Sequence, residues 1–166
     1  MTAEDRVVDD YIKARAALEK FDLATGKDRP RPDGFVYAGM CDFLQQHGRF
    51  WTPQDRPRGF RQMTAKYCFD NAYRTLTDAR HKRRDLRYVE GIALSQFFPV
   101  HHAWIVDELG RVIDQTWDTP GTSYFGVVFR QAEIFAVRNA QSVSILDNWA
   151  GPHRHAIYRQ RFKENA

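Results

Sequence analysis

No stretch narrows the choice of fold more than "HHAWIVDELGRVIDQTW", His101 to Trp117. β-forming residues flank "DELGR", which has the chemistry of a type I turn followed by Gly110 in the left-handed position, a bulged three-residue hairpin connection. Such a turn sets the register: Asp107 faces Arg111, Trp104 lies opposite Asp114, and His102 lies opposite Thr116. His102 and Asp114 then become diagonal neighbours within hydrogen-bond reach, while His101 points to the other face. A slip of one residue would carry Asp114 across the sheet, so this reading stands on the turn.

The hairpin falls late in the chain, and the segments before it read mainly as helices. "DRVVDDYIKARAALEKFDL" sets Val8, Tyr11, Ile12, Leu18 and Phe21 close to one helical face. "GKDRPRPDG" is a connection, "FVYAGMCDFLQQHG" a shorter helix closed by Gly48, and "RFWTPQDRPRGF" a loop whose Phe50, Trp51 and Phe60 pack back on the core. "TAKYCFDNAYRTLTDAR" predicts a helix from about Thr64 to Arg80, with Thr64 as N-cap and a stripe of Cys68, Ala72, Thr75, Leu76 and Ala79. Next come a strand in "LRYVEGIAL", a loop in "SQFFPV", and the hairpin. "DTPGTSYFGVVF" mixes turn and strand signals, and its aromatics read as core with the substrate cleft as the alternative. "RQAEIFAVRNA" reads as helix and "SVSILD" as extended. Helices first and an antiparallel sheet later predict an α+β domain.

At 166 residues the chain has the size of one domain with a sizeable core. No apolar run approaches the roughly 20 residues of a membrane span, and "MTAEDRVVDD" is too charged for a signal peptide, so a soluble cytoplasmic protein is expected. Much of the net charge of +4 sits in "ARHKRRDLR", either a solvated helix end or a surface for an acidic partner or nucleic acid. The only two cysteines, Cys41 and Cys68, lack the paired spacing of a zinc site, so no metal or cofactor is expected. Both should be free thiols in a reducing compartment, with a disulfide as the alternative in an oxidising one. Cys41 falls inside its helix, where a small apolar thiol fills core.

Cys68 stands near the start of its helix, where unpaired N–H groups and the dipole favour a thiolate. With His102 as base and Asp114 to orient the ring, the three would form a nucleophilic site. Each also has a structural reading: Cys68 as a core thiol, His102 as a satisfied core histidine, Asp114 as a strand-end acceptor.

The chain order Cys68, His102 in "HAW" and Asp114 in "VIDQTW" resembles the core of the transglutaminase-like superfamily of papain-type cysteine enzymes. "YVEGIA" is similar to that family's Gly-containing strand before the histidine hairpin, and the resemblance runs from about Gln62 to Trp117, about a third of the chain. It implies a papain-like, transglutaminase-like fold in which N-terminal helices and a nucleophile-bearing helix pack on an antiparallel sheet. The whole chain, 1–166, would be one catalytic domain, helical over about 1–48 with its core over about 60–146.

The resemblance further implies that Cys68 is the nucleophile, His102 the general base and acid, and Asp114 the orienting carboxylate. Gln62 precedes Cys68 by six residues, the spacing of the oxyanion-stabilising glutamine in papain-type enzymes; the alternative is an exposed loop amide. "KYCFDNAYRTL" lacks the tryptophan that many members carry beside the nucleophile, which weakens any transfer of substrate preference. Asn148 in "DNWAG" is similar to the asparagine that orients the histidine in papain itself, but it follows His102 by 46 residues and Asp114 already fits that role.

The activity implied is hydrolysis of an amide or acyl bond in a peptide, protein or small amide through a thioester, as in a peptidase, amidase or deamidase. Acyl transfer by the same triad is the alternative. Arylamine N-acetyltransferases share the triad order, but their surrounding signature and length are missing. A non-catalytic module of the same fold would instead bind nucleic acid through Arg80, Lys82, Arg83, Arg84 and Arg87.

Overall fold

The computed structural model describes residues 1–31, 33–139, 143–147, 156–159 and 162. The chain folds as an α+β protein. Helix α1 (Ala3–Lys20) starts at a capping box in which Thr2 and Asp5 each bond the other's backbone N–H. Its buried stripe is Val8, Ile12 and Ala16. Leu18 and Phe21, expected on that face, are 38% and 37% exposed. The helix stops at Lys20 and the chain turns through the short ribbon β1 (Phe21–Asp22) and β2 (Lys27–Asp28), which takes Phe21 off the helical face.

Helix α2 (Met40–His47) has no side-chain cap of its own. The Glu19 carboxylate of α1 supplies one, accepting from Cys41 N at 3.0 Å and Asp42 N at 2.8 Å. The helix ends at Gly48 as expected, where an added Cβ would stand 2.2 Å from the Phe125 ring.

The sheet has five antiparallel strands in the order β3 (Arg49–Trp51), β7 (Ser123–Phe129), β4 (Arg87–Leu94), β5 (Pro99–Val106), β6 (Val112–Ile113). β3 lies within a segment expected to be loop; its pairing with β7 makes it a strand. Just past β3, Thr52 N donates to Gly110 O at 3.3 Å, and Val112 N donates to Thr52 O at 2.9 Å. The two outer strands are thus joined and the sheet curls closed.

One face of the sheet packs against the helices through Tyr88, Ile92, Ile105 and Val127. The other encloses Trp51, Val89, Trp104, Val112 and Tyr124. Gly91 and Gly126 face each other across β4 and β7, and a Cβ on Gly126 would come within 2.8 Å of the Trp104 ring. Gly91 lets the β7 backbone come close, and Gly126 makes room for the indole that fills the interior beside His102.

Helix α3 (Cys68–Thr77) packs on β5 and is followed by a 3-10 turn, Ala79–His81. It is shorter than the expected 64–80 span, and Thr64 is not its cap. The Thr64 carbonyl accepts from Asn71 Nδ2, and Lys66 adopts φ +69°, so the chain turns before the first helical residue. Helix α4 (Gln131–Asn139) lies where expected. Residues 143–147, expected to be extended, form a bend and turn over the buried carboxylate of Glu90. No helix among the described residues is long and apolar enough to cross a membrane.

Candidate active site

The predicted hairpin forms in the predicted register. Gly110 has φ +73°, Gly110 N donates to Asp107 O at 2.9 Å, and Ile105 pairs with Ile113, which sets Trp104 opposite Asp114. His102 Nε2 lies 2.8 Å from Asp114 Oδ2. Both residues are 2% exposed.

Asp114 is saturated with donors. Tyr124 OH donates to Oδ2 at 2.9 Å, while Thr116 N and Trp117 N donate to Oδ1 at 2.8 and 3.4 Å. Burial alone would raise its pKa, but the bond and charge of His102 and the backbone donors hold it below the ordinary carboxylate value. Tyr124 OH in turn accepts from Gly121 N at 2.7 Å. The Trp117 ring stacks on His102 with centroids 4.1 Å apart and 13° between planes, covering one side of the imidazole.

Cys68 is the first residue of α3, nearer the helix start than the sequence suggests, and is 7% exposed. Its thiol lies beside the His102 side chain, close enough to raise the imidazole pKa. With Nε2 committed to Asp114, Nδ1 is the ring nitrogen left for the sulfur. Burial works to lower the His102 pKa, but Asp114 first and Cys68 second overcome it and raise it to about 9. The imidazole is therefore a cation at neutral pH, held between a carboxylate and a sulfur. Cys41 is also a free thiol, 1% exposed and in the first turn of α2 rather than deep inside the helix; burial, then Glu19, pushes its pKa up to about 12.

The structure thus brings Cys68, His102 and Asp114 together. Gln62 is exposed on the loop entering α3, and that loop is fastened beside the site by Met63 N donating to Gln115 O at 2.7 Å. Asn148 lies outside the described residues. His101 points to the opposite face as expected, where it meets the Phe69 ring and lies 3.6 Å from Glu90 Oε2. Among the described residues no group of His, Cys, Asp and Glu side chains converges to hold a metal ion.

Comparison with protein-family models, curated proteins and solved structures gave no match. The site is therefore read from its own atoms.

Three supporting residues were missed in the sequence. Asn71 Nδ2 reaches both the Thr64 carbonyl and Thr116 Oγ1, joining α3 to the loop after Asp114. Arg56 donates to the carbonyls of Asp114 and Trp117 from a segment read only as loop. Tyr124 sat among aromatics assigned to the core. Asn71 alone left a usable signal, since a residue three after Cys68 shares its helical face.

Proposed function

We propose that this protein is a cysteine-dependent hydrolase of amide or other acyl bonds, built on a transglutaminase-like variant of the papain-type fold. The observation that carries the reading is the relay from the Cys68 thiol through His102 to the Asp114 carboxylate, with the nucleophile at a helix start.

The Cys68 sulfur attacks the acyl carbon, a carbon–sulfur bond forms, and the tetrahedral oxyanion collapses as the amine leaves with a proton from the His102 imidazolium. Water then yields a proton to neutral His102, attacks the thioester and releases the acid and the thiol. If an amine takes the place of water, the same site performs acyl transfer. The Cys68 N–H, free of an intrahelical acceptor at the first helical position, is one oxyanion donor. Gln62 is the second in this reading.

Two measurements test it. Iodoacetamide at neutral pH should alkylate Cys68 at least tenfold faster than Cys41, because an imidazolium beside the sulfur makes a strong nucleophile. Incubation with mixed peptides and amides, then acid quench and mass spectrometry, should show an acyl adduct on Cys68 that Cys68→Ser and His102→Ala lack. Equal alkylation of the two cysteines in the folded protein would overturn the assignment.

A further inference from the structure

A groove of about 690 Å³ opens where the last turn of α3, the Ala79–His81 turn, the start of β4, the end of β7 and α4 meet. Eight residues, about 12 Å of helix, separate Leu76 on its wall from Cys68, so it is distinct from the site above. Its floor is apolar: Leu76, Leu86 and Val128 are half-buried there and Phe135 is 38% exposed. Its rim is cationic, with Lys82, Arg84, Arg87 and an Arg130 that is already paired with Glu133 at 3.0 Å. The one carboxylate in its lining, Asp78, is already held by Arg80 in a two-pronged ion pair.

Two buried nitrogens in the lining, one of them a guanidinium donor, point to a missing partner. Arg87 Nε and His81 Nδ1 have no hydrogen-bond partner among the described residues. A buried guanidinium N–H left unmatched is costly, and a carboxylate is its natural complement.

We infer that this groove docks an acidic, amphipathic peptide segment of a partner protein, with carboxylates on the rim and aliphatic side chains on the floor. Charge complementarity selects the carboxylates, and the apolar floor selects a peptide over a nucleic acid. A single-stranded nucleic acid stacks its bases on successive exposed rings. Here Phe135 is the one exposed ring of the lining, since Tyr88, Phe129 and His81 are buried. Arginines on the rim suit planar, two-pronged carboxylate recognition.

The inference stands apart from the cysteine chemistry, so its test needs no turnover. A fluorescein-labelled peptide alternating Glu and Leu at helical spacing should bind the full chain by anisotropy, and affinity should fall as salt rises. Lys82→Glu and Phe135→Ser should each weaken binding about tenfold while thermal melting stays unchanged. Peptides with Glu→Gln or with Leu→Ser should lose binding to a similar degree. Two results overturn the proposal: no peptide binding at about millimolar protein, or binding of a single-stranded oligonucleotide that Lys82→Glu weakens, Phe135→Ser leaves intact and the peptide cannot displace.

Discussion

Both oxygens of Asp114 accept hydrogen bonds from fixed donors, His102 and Tyr124 on Oδ2, Thr116 and Trp117 backbone on Oδ1. An amide cannot copy this, since its NH2 must face an N–H or O–H whichever way it turns. Asp114→Asn should therefore lower turnover by about 10²- to 10⁴-fold and slow iodoacetamide at Cys68, while Asp118→Asn, on the exposed side of the turn, does little. His102 also sets a pH dependence of stability. Its folded pKa of about 9 lies above the ordinary 6.5, so its contribution is complete below the lower value and lost as pH rises through the higher one. Melting temperature should fall between about pH 6.5 and 9.5, and the step should shrink in Asp114→Asn. A flat profile over that window in the parent would remove the imidazolium from the site.

At the scale of elements, Glu90 on β4 does for residues 143–147 what a turn sequence does elsewhere. Its carboxylate, fully buried, accepts from Tyr88 OH, Ser144 Oγ, Ile145 N and Leu146 N. Glu90→Gln sets an NH2 against those donors and should cost about 2–4 kcal/mol in urea unfolding. Hydrogen exchange at Ile145 and Leu146 should rise with it. The same carboxylate explains why "SVSILD" misled: its β-forming composition is local, whereas the acceptor that bends it lies more than fifty residues away. β3 was missed for a like reason, since Arg49–Trp51 owes its extended form to β7. The start of α3 depended on Asn71 holding the Thr64 carbonyl and on a left-handed Lys66, which no lysine advertises. By contrast, the β5–β6 hairpin was legible because four consecutive residues carry its turn, and the His102–Asp114 pairing followed by counting outward. The nucleophile was legible only through its position near a helix start and the family resemblance.

Across the whole molecule, the helices cover one side of the sheet and the curled sheet encloses a second core. Cys41 sits in the larger core, at the join of α1 and α2, with a thiol that burial keeps protonated. Its alkylation should follow global unfolding, with a denaturant slope matching that from circular dichroism. A shallower slope would mean that α2 detaches by itself. The bridge at Thr52 has a different consequence. Exposed strand edges invite a second chain to add on, and proteins suppress this with charge, proline or closure. Here the two would-be edges, β3 and β6, answer each other through the Thr52 and Val112 hydrogen bonds, with Pro53 directly behind. This clasp occupies both outer strands where Thr52 and Val112 meet, so a second chain could add there only after it comes undone.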